Sequence, residues 1–219
     1  MDDDVKTRRT YHAPQRTEQA VSTRRAVLDA ARELFTTRGY ASTTVAAIAD
    51  RAGVAVDTLY VAVGRKPTIL RELVETALSG QNDAVPAEER EYVRRIRAAP
   101  TAPEKIGIYA AAIAAAGPRT APIFLALRDA AARDPGCAEL QAEITSRRAA
   151  NMRLFAADLR VTGELRSDLE DDAVADIVWS MNATEYYVLL VQQRGWSPER
   201  FGAHLADAWC RMLLTCYCR

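Results

Sequence analysis

The segment VAAIADRAGVAVDTLYVA, residues 45–62, constrains the fold of this chain more than any other. An apolar residue and a small one, Ile48 and Ala49, precede Gly53; Val54 and Leu59 follow it. Glycine tolerates the positive φ of a tight turn. Ala49 must be small if a second helix is to cross close above it. The valines at 54, 56, 61 and 63 carry strand propensity, but every position that two helices crossing at a sharp turn require is filled. The segment therefore predicts a helix-turn-helix, with Val54 and Leu59 buried.

The flanks agree. Val27, Leu28, Ala31, Leu34 and Phe35 recur at helical spacing. Ser22 or Thr23 offers a cap at the start of that helix, and Gly39 a stop. Thr44 caps the second helix. Pro67 stands in the first turn of a further helix that closes at Gly80. Beyond a polar connector at 81–90 the pattern is helical throughout. Helices are predicted at 87–98, 103–116, 119–134, 136–161, 170–194 and 198–217, punctuated by Gly117-Pro118, Pro135-Gly136, Gly163 and Gly195. Ser197-Pro198 pairs a capping hydroxyl with proline at the first helical position.

The fold class expected is all-α: a three-helix helix-turn-helix head, joined by a fourth helix to a helical body. The boundaries read as a flexible arm at 1–20, a head at 21–66, a connecting helix and linker at 67–86, and a body at 87–219.

The chain has 219 residues, 49% of them hydrophobic and 26% charged, with no formal net charge. A protein that coats nucleic acid without specificity should be basic overall. Here the charge is uneven: from Val5 to Arg71 there are twelve basic and five acidic residues, an excess of seven that the remainder cancels. In the arm, Lys6, Arg8, Arg9 and Arg16 suit a plain polar tail or phosphate and minor-groove contacts. Cys137, Cys210, Cys216 and Cys218 read as small buried hydrophobes of a reducing compartment, with a redox thiol as the weaker alternative. Cys216 and Cys218 are spaced too closely for a usual zinc knuckle. No signal peptide is visible and no apolar run approaches a membrane span, so a cytoplasmic location with no membrane partner is expected.

Residues 26–70, AVLDAARELFTTRGYASTTVAAIADRAGVAVDTLYVAVGRKPTIL, resemble the TetR family of bacterial transcriptional regulators. An Ala-Ala-x-x-Leu-Phe helix, a Gly-Tyr turn, Thr-Val-x-x-Ile-Ala, Ala-Gly-Val, and Thr-Leu-Tyr followed by Gly-x-Lys occur in order. The C-terminal 140 or so residues match only in size and helicity. The resemblance implies a homodimer that binds a double-stranded operator and is released by a small, largely apolar effector. On this reading Thr44, Thr58, Tyr60 and Lys66 contact the DNA backbone, with Arg65 beside them. Ala55, Val56, Asp57 and Val61 face the groove. The sequence departs from many relatives at Ala62-Val63, where they carry an aromatic pair; a phosphate contact is missing at 62 and packing is lighter at 63.

In the body, Asn182 and Glu185 interrupt an apolar run and are candidate polar anchors of an effector cavity. Tyr109, Phe124, Arg128, Met152, Phe155, Trp179 and Tyr186 are further lining candidates, each also plausible as plain core. The last two helices are expected to pair with their symmetry mates through Trp196, Phe201, Leu205, Trp209, Met212 and Leu213, unless these only cover the monomer core. Two identical heads then require a near-palindromic operator, and the resemblance makes the fourth helix, 67–79, the lever between body and head. An enzyme is the rival class, but no nucleophile–base pair, phosphate-cradling loop or metal motif stands out, and no cofactor or metal is expected. The other rival is a helical ligand-binding adaptor with weakened DNA binding, which the Ala62-Val63 departure favours. Arg94-Arg95 and Arg147-Arg148 read as solvated charge pairs.

Overall fold

The computed structural model describes residues 13–80 and 85–215, with side chains from residue 17 onward. The head comprises α1 (Ala13–Thr37), α2 (Val45–Ala52) and α3 (Val56–Ala62), followed by α4 (Lys66–Ser79). The body comprises a 3-10 turn (Ala87–Glu89), α5 (Glu91–Ala98), α6 (Ala102–Ala131), α7 (Pro135–Arg160), α8 (Asp171–Met181), α9 (Thr184–Tyr187), a π-helical segment (Val188–Gln193) and α10 (Pro198–Leu213). Among the described residues β structure is limited to an isolated antiparallel bridge between Leu165 and Leu214. The all-α class is as expected.

Local signals place several ends. Thr44 caps α2, its hydroxyl accepting from the Ala47 amide at 3.1 Å. Gly53 closes α2 at φ 69°, in the left-handed region that favours glycine. Ser197 caps α10 with Pro198 at its start. Other boundaries differ from the reading above. Helix α1 begins by Ala13 rather than at Ser22, so residues 13–20 of the expected arm are helical; Lys6, Arg8 and Arg9, and the Arg16 side chain, lie outside what the structure describes. Ser22 and Thr23 therefore lie inside α1 and do not cap it.

The larger correction is α6. Gly117-Pro118 does not end a helix: α6 runs unbroken through both Pro118 and Pro122. Each proline removes an amide donor and so leaves the Ala114 and Pro118 carbonyls without their helical partner, while Arg119 and Thr120 donate side-chain hydrogen bonds to the neighbouring Ala115 and Ala116 carbonyls. Joined in this way, α6 is long and apolar enough to cross a membrane, contrary to expectation. It is instead a core helix, with Ile106, Ala110, Ala114, Ala121, Ile123 and Leu127 buried against neighbours. It even buries Lys105, whose ammonium donates to the Ile96 carbonyl at 2.7 Å and to Asp158 at 2.9 Å. A charge out of water needs such partners.

The expected helix at 170–194 is broken. Helix α8 stops at Met181, and the chain resumes as α9 and the π segment. Helix α10 ends at Leu213 instead of 217, where Leu214 turns extended and the Arg166 amide donates to the Leu213 carbonyl.

Two apolar cores result. One joins α1–α4 to the C-terminal half of α6 and the start of α7, through Phe35, Ile48, Leu59, Leu70, Leu127 and Leu140. Val54 packs on it while staying partly exposed, and Val63 is buried in it. The other joins the N-terminal half of α6 to α7, α8 and α10. Phe201, Leu205, Trp209 and Leu213 are wholly buried there, so they are monomer core and not the expected dimer surface; Trp196 and Met212 stay partly exposed.

The closest approach lies at Gly117. A Cβ added there would stand 2.1 Å from the Tyr187 ring. Gly117→Ala is therefore expected to destabilise the fold by about 1–3 kcal/mol through overpacking. Gly107→Ala, on the same helix but in open space, should stabilise by up to ~1 kcal/mol. Urea midpoints of the two variants check the pair; equal shifts would contradict the close contact.

Candidate nucleic-acid interface and body cluster

Helix α3 presents a polarised surface. Leu59 is fully buried and anchors it to the head. Asp57 and Val61, four residues apart, lie on the opposite side, and Val61 is 90% exposed. Thr58 and Tyr60 project from the two flanks between these faces; both are exposed, Tyr60 by 46%. Ala55 and Val56 extend the exposed ridge toward the turn. An exposed ridge flanked by hydroxyls on both sides fits a groove whose walls are phosphates. Tyr60 thus leaves nearly half of its surface open to solvent.

The surroundings hold this helix firmly. Arg24 of α1 donates to the Ala62 carbonyl at 3.2 Å and pairs with Glu72 of α4 at 2.7 Å. One guanidinium thus ties the C-terminal end of α3 to both neighbours at the position where many relatives carry an aromatic side chain. Thr44 is exposed at the start of α2, and Arg65 is exposed at the N-cap of α4.

Lys66 is placed differently from a free phosphate ligand. Its ammonium donates to the Tyr40 carbonyl at 2.8 Å and sits 4.1 Å from the centre of the Tyr40 ring. Burial lowers its pKa below the ordinary lysine value. The Tyr40 hydroxyl in turn donates to Asp134 at 3.0 Å, and burial raises that phenol well above its usual range, so it stays a donor. The other Asp134 oxygen caps α7 by accepting from the Cys137 amide at 3.2 Å. Lys66, Tyr40 and Asp134 thus form a polar chain from the first residue of α4 to the first turn of α7.

In the body the structure brings together Tyr109, Met152, Phe155, Trp179 and Asn182. The Asn182 amide donates to the Tyr109 hydroxyl at 2.8 Å and to the Met152 sulfur at 3.2 Å. Tyr109 lies between Phe155, at 4.9 Å between ring centres, and Trp209, at 5.8 Å. Burial raises the Tyr109 phenol above its ordinary pKa. Sequence reasoning missed Arg148, whose guanidinium donates to the Asn182 side chain at 2.5 Å and to the Trp179 carbonyl at 2.9 Å, 4.8 Å over the Trp179 ring. Desolvation lowers its pKa, and it is not a solvated charge. Its signal was the four-residue step to Met152, which puts both on one face of α7. Arg147, its neighbour, pairs with Glu75 of α4 at 2.7 Å. The buried indole N–H groups of Trp179 and Trp209 have no acceptor among the described residues.

The other lining candidates lie elsewhere. Phe124 packs on the head-side core. Arg128 and Glu185 form an exposed ion pair at 3.4 Å. Tyr186 bonds His204 at 2.7 Å, away from Asn182. The break after Met181 separates Glu185 from the end of α8, while Val188 and Leu189 follow it in the same helical run. Two surface concavities, of about 470 and 640 Å³, are lined by Arg160, Ser167, Leu169 and the acidic residues Glu170, Asp171 and Asp172, and by residues between Arg128 and Ser146. Neither includes the Asn182 cluster. Among the described residues no group of histidine, cysteine or carboxylate side chains could hold a metal. Cys137 and Cys210 are buried.

Comparison with known proteins agrees with this geometry. Residues 27–73 match the family model of bacterial regulatory proteins, tetR family. No curated protein sequence matches the chain. Among solved structures, NalD, the secondary repressor of the MexAB-OprM multidrug efflux pump in Pseudomonas aeruginosa, is 18% identical with a TM-score of 0.69, covering 93% of this chain and all of its own. The SmeT–triclosan complex is 19% identical with a TM-score of 0.68, covering 88% of this chain and 92% of its own. FadR from Bacillus subtilis in complex with stearoyl-CoA is 19% identical with a TM-score of 0.68, covering 84% and 96%. At such identities the structures share the fold. Residues 27–73 are thus similar to the tetR family of bacterial regulatory proteins, and the described chain shares the all-α fold of these solved structures.

Proposed function

We propose that this protein is a cytoplasmic homodimeric repressor that holds a palindromic operator and releases it when a small, largely apolar effector enters the body. The observation that carries the reading is α3: an exposed ridge of Ala55, Val56, Asp57 and Val61 between the hydroxyls of Thr58 and Tyr60. Thr44 and Arg65 add backbone contacts at the edges. Lys66 contributes after turning outward from Tyr40. Proteins of the same fold support the regulatory half, since one is a repressor and others hold triclosan or stearoyl-CoA.

The effector site is the Tyr109–Asn182–Arg148 cluster. It offers an apolar aromatic bed with convergent donors, namely Arg148, Asn182 and the two unpaired indoles. A helix interruption at Asn182 followed by a π segment is the local irregularity that functional sites often carry. The ligand must bind the DNA-free arrangement better, because equal affinity for both states shifts nothing. Movement of α7 reaches the head through Asp134 and Tyr40, and movement of α4 through the Arg71–Glu143 and Arg147–Glu75 pairs. The dimer draws on the outward faces of α8–α10, where Leu189 is half exposed.

A ligand-binding adaptor is the second reading, favoured by the inward Lys66 and by Ala62 in place of an aromatic. Gel shifts against duplexes selected from a random pool separate the two. The repressor reading expects a palindrome bound about tenfold more weakly by Tyr60→Phe. Arg65→Ala should lower the slope of log affinity against log salt by about one per protomer. Weak, equal binding to all duplexes would favour the adaptor.

Tryptophan fluorescence reads the body site, with triclosan and stearoyl-CoA as first probes. A bound effector is expected to quench Trp179 and Trp209 and to weaken operator binding. Asn182→Ala should lower effector affinity about tenfold while leaving ligand-free operator binding intact. Loss of operator binding in that variant without effector would count against the assignment.

A further inference from the structure

From Ala55 to Ala62 the chain contains no arginine, lysine, asparagine or glutamine. Those four side chains make the two-pronged hydrogen bonds by which guanine and adenine are usually read in the major groove. Helix α3 has none to offer. Its exposed ridge is instead three apolar side chains and one carboxylate. Val61 is 90% exposed and Val56 38% exposed, while Ala55 and Asp57 are exposed beside them. A valine held in water on a helix fixed by Leu59 and Arg24 gains by burial against apolar surface. The apolar group on base edges in the major groove is the thymine C5 methyl.

Asp57 narrows the choice further. No cation pairs with it among the described residues, and a carboxylate pressed toward two rows of phosphates is repelled unless it accepts a hydrogen bond there. The groove supplies suitable donors at the exocyclic amino groups of cytosine and adenine. Asp57 and Val61 are one turn apart, about 5.4 Å along the helix. Successive base pairs are spaced by about 3.4 Å, so the two contacts fall within about two base pairs of each other.

We propose that α3 reads its half-site by thymine methyl groups packed on Val61 and Val56 and by a cytosine or adenine amino group donating to Asp57, with no guanine read through a two-pronged contact from this helix. The inference rests on the operator-binding reading above. Specificity of this kind comes from shape and methyl contact. Each step of discrimination is therefore smaller than a two-pronged hydrogen bond would give, and the flanking hydroxyls of Thr58 and Tyr60 must fix the register.

The experiment uses the full-length chain and the duplex it selects from a random pool. Each thymine of the half-site is replaced singly by deoxyuridine, which removes only the methyl group. Affinity is expected to fall about fourfold for each methyl contacted, the equivalent of one buried CH₂, and replacements outside the half-sites serve as controls. In Val61→Ala the penalty at one of those thymines should shrink toward none. Asp57→Asn should change the preferred base at a position within about two base pairs of that thymine. The readout is overturned if no half-site thymine responds to deoxyuridine, if the penalties are undiminished in both Val61→Ala and Val56→Ala, or if Asp57→Asn keeps the same preferences. A chain that selects no duplex overturns the repressor reading, and this readout with it.

Discussion

Helix α6 belongs to both cores of the molecule. Its first half packs on α10 and α7, and its second half, through Ile123, Ala126, Leu127 and Ala130, closes the apolar core of the head. Small residues at 110, 114, 117 and 121 line one side of the helix. They let neighbours approach closely: Gly202 of α10 comes against Ala114, and the Tyr187 ring against Gly117. A break at Gly117-Pro118 would separate the two cores. The continuity of α6 makes the head and body mechanically one object.

The connection is completed by polar contacts that cross between elements distant in sequence. Arg119 of α6 donates to the Ala77 carbonyl near the end of α4 at 2.8 Å. Tyr40 reaches Asp134 over 94 residues of chain. Exposed ion pairs alone would add little, but Arg71–Glu143 and Arg147–Glu75 connect the same two helices that the apolar core already joins. A change in the packing around Asn182 and Arg148 on α7 and α8 thus has a contiguous route to α4 and to Lys66. What such a route needs in addition is two arrangements of comparable stability.

The head was readable because its signals are short-range. Thr44 caps α2 within its own first turn, Gly53 makes the turn by its own φ, and Leu59 faces inward by the period of its own helix. The exposed set on α3 follows from the same period. The body was readable only in outline. Whether proline ends a helix depends on what packs on either side of it, and in α6 buried residues before and after Pro118 favour continuation. Phe201, Leu205, Trp209 and Leu213 have the spacing of an interface and equally that of a core; the partner that covers them, α6, is far away in the chain. Arg148 read as one of two solvated charges, and its inward turn depends on the Trp179 carbonyl and Asn182, some thirty residues later.

Residue order alone determined the all-α class, the helix-turn-helix, the capped ends of α2, α4 and α10, and the apolar, arginine-free face of α3. Each of these is set by groups within one or two helical turns of each other. The third dimension decided that α6 is continuous, that the head core is completed by the body, that Lys66 folds under Tyr40, and that Asn182 gathers Tyr109, Met152 and Arg148. Those outcomes depend on competition among distant partners for the same buried surface and the same hydrogen-bond acceptors, and periodicity carries no record of who wins it.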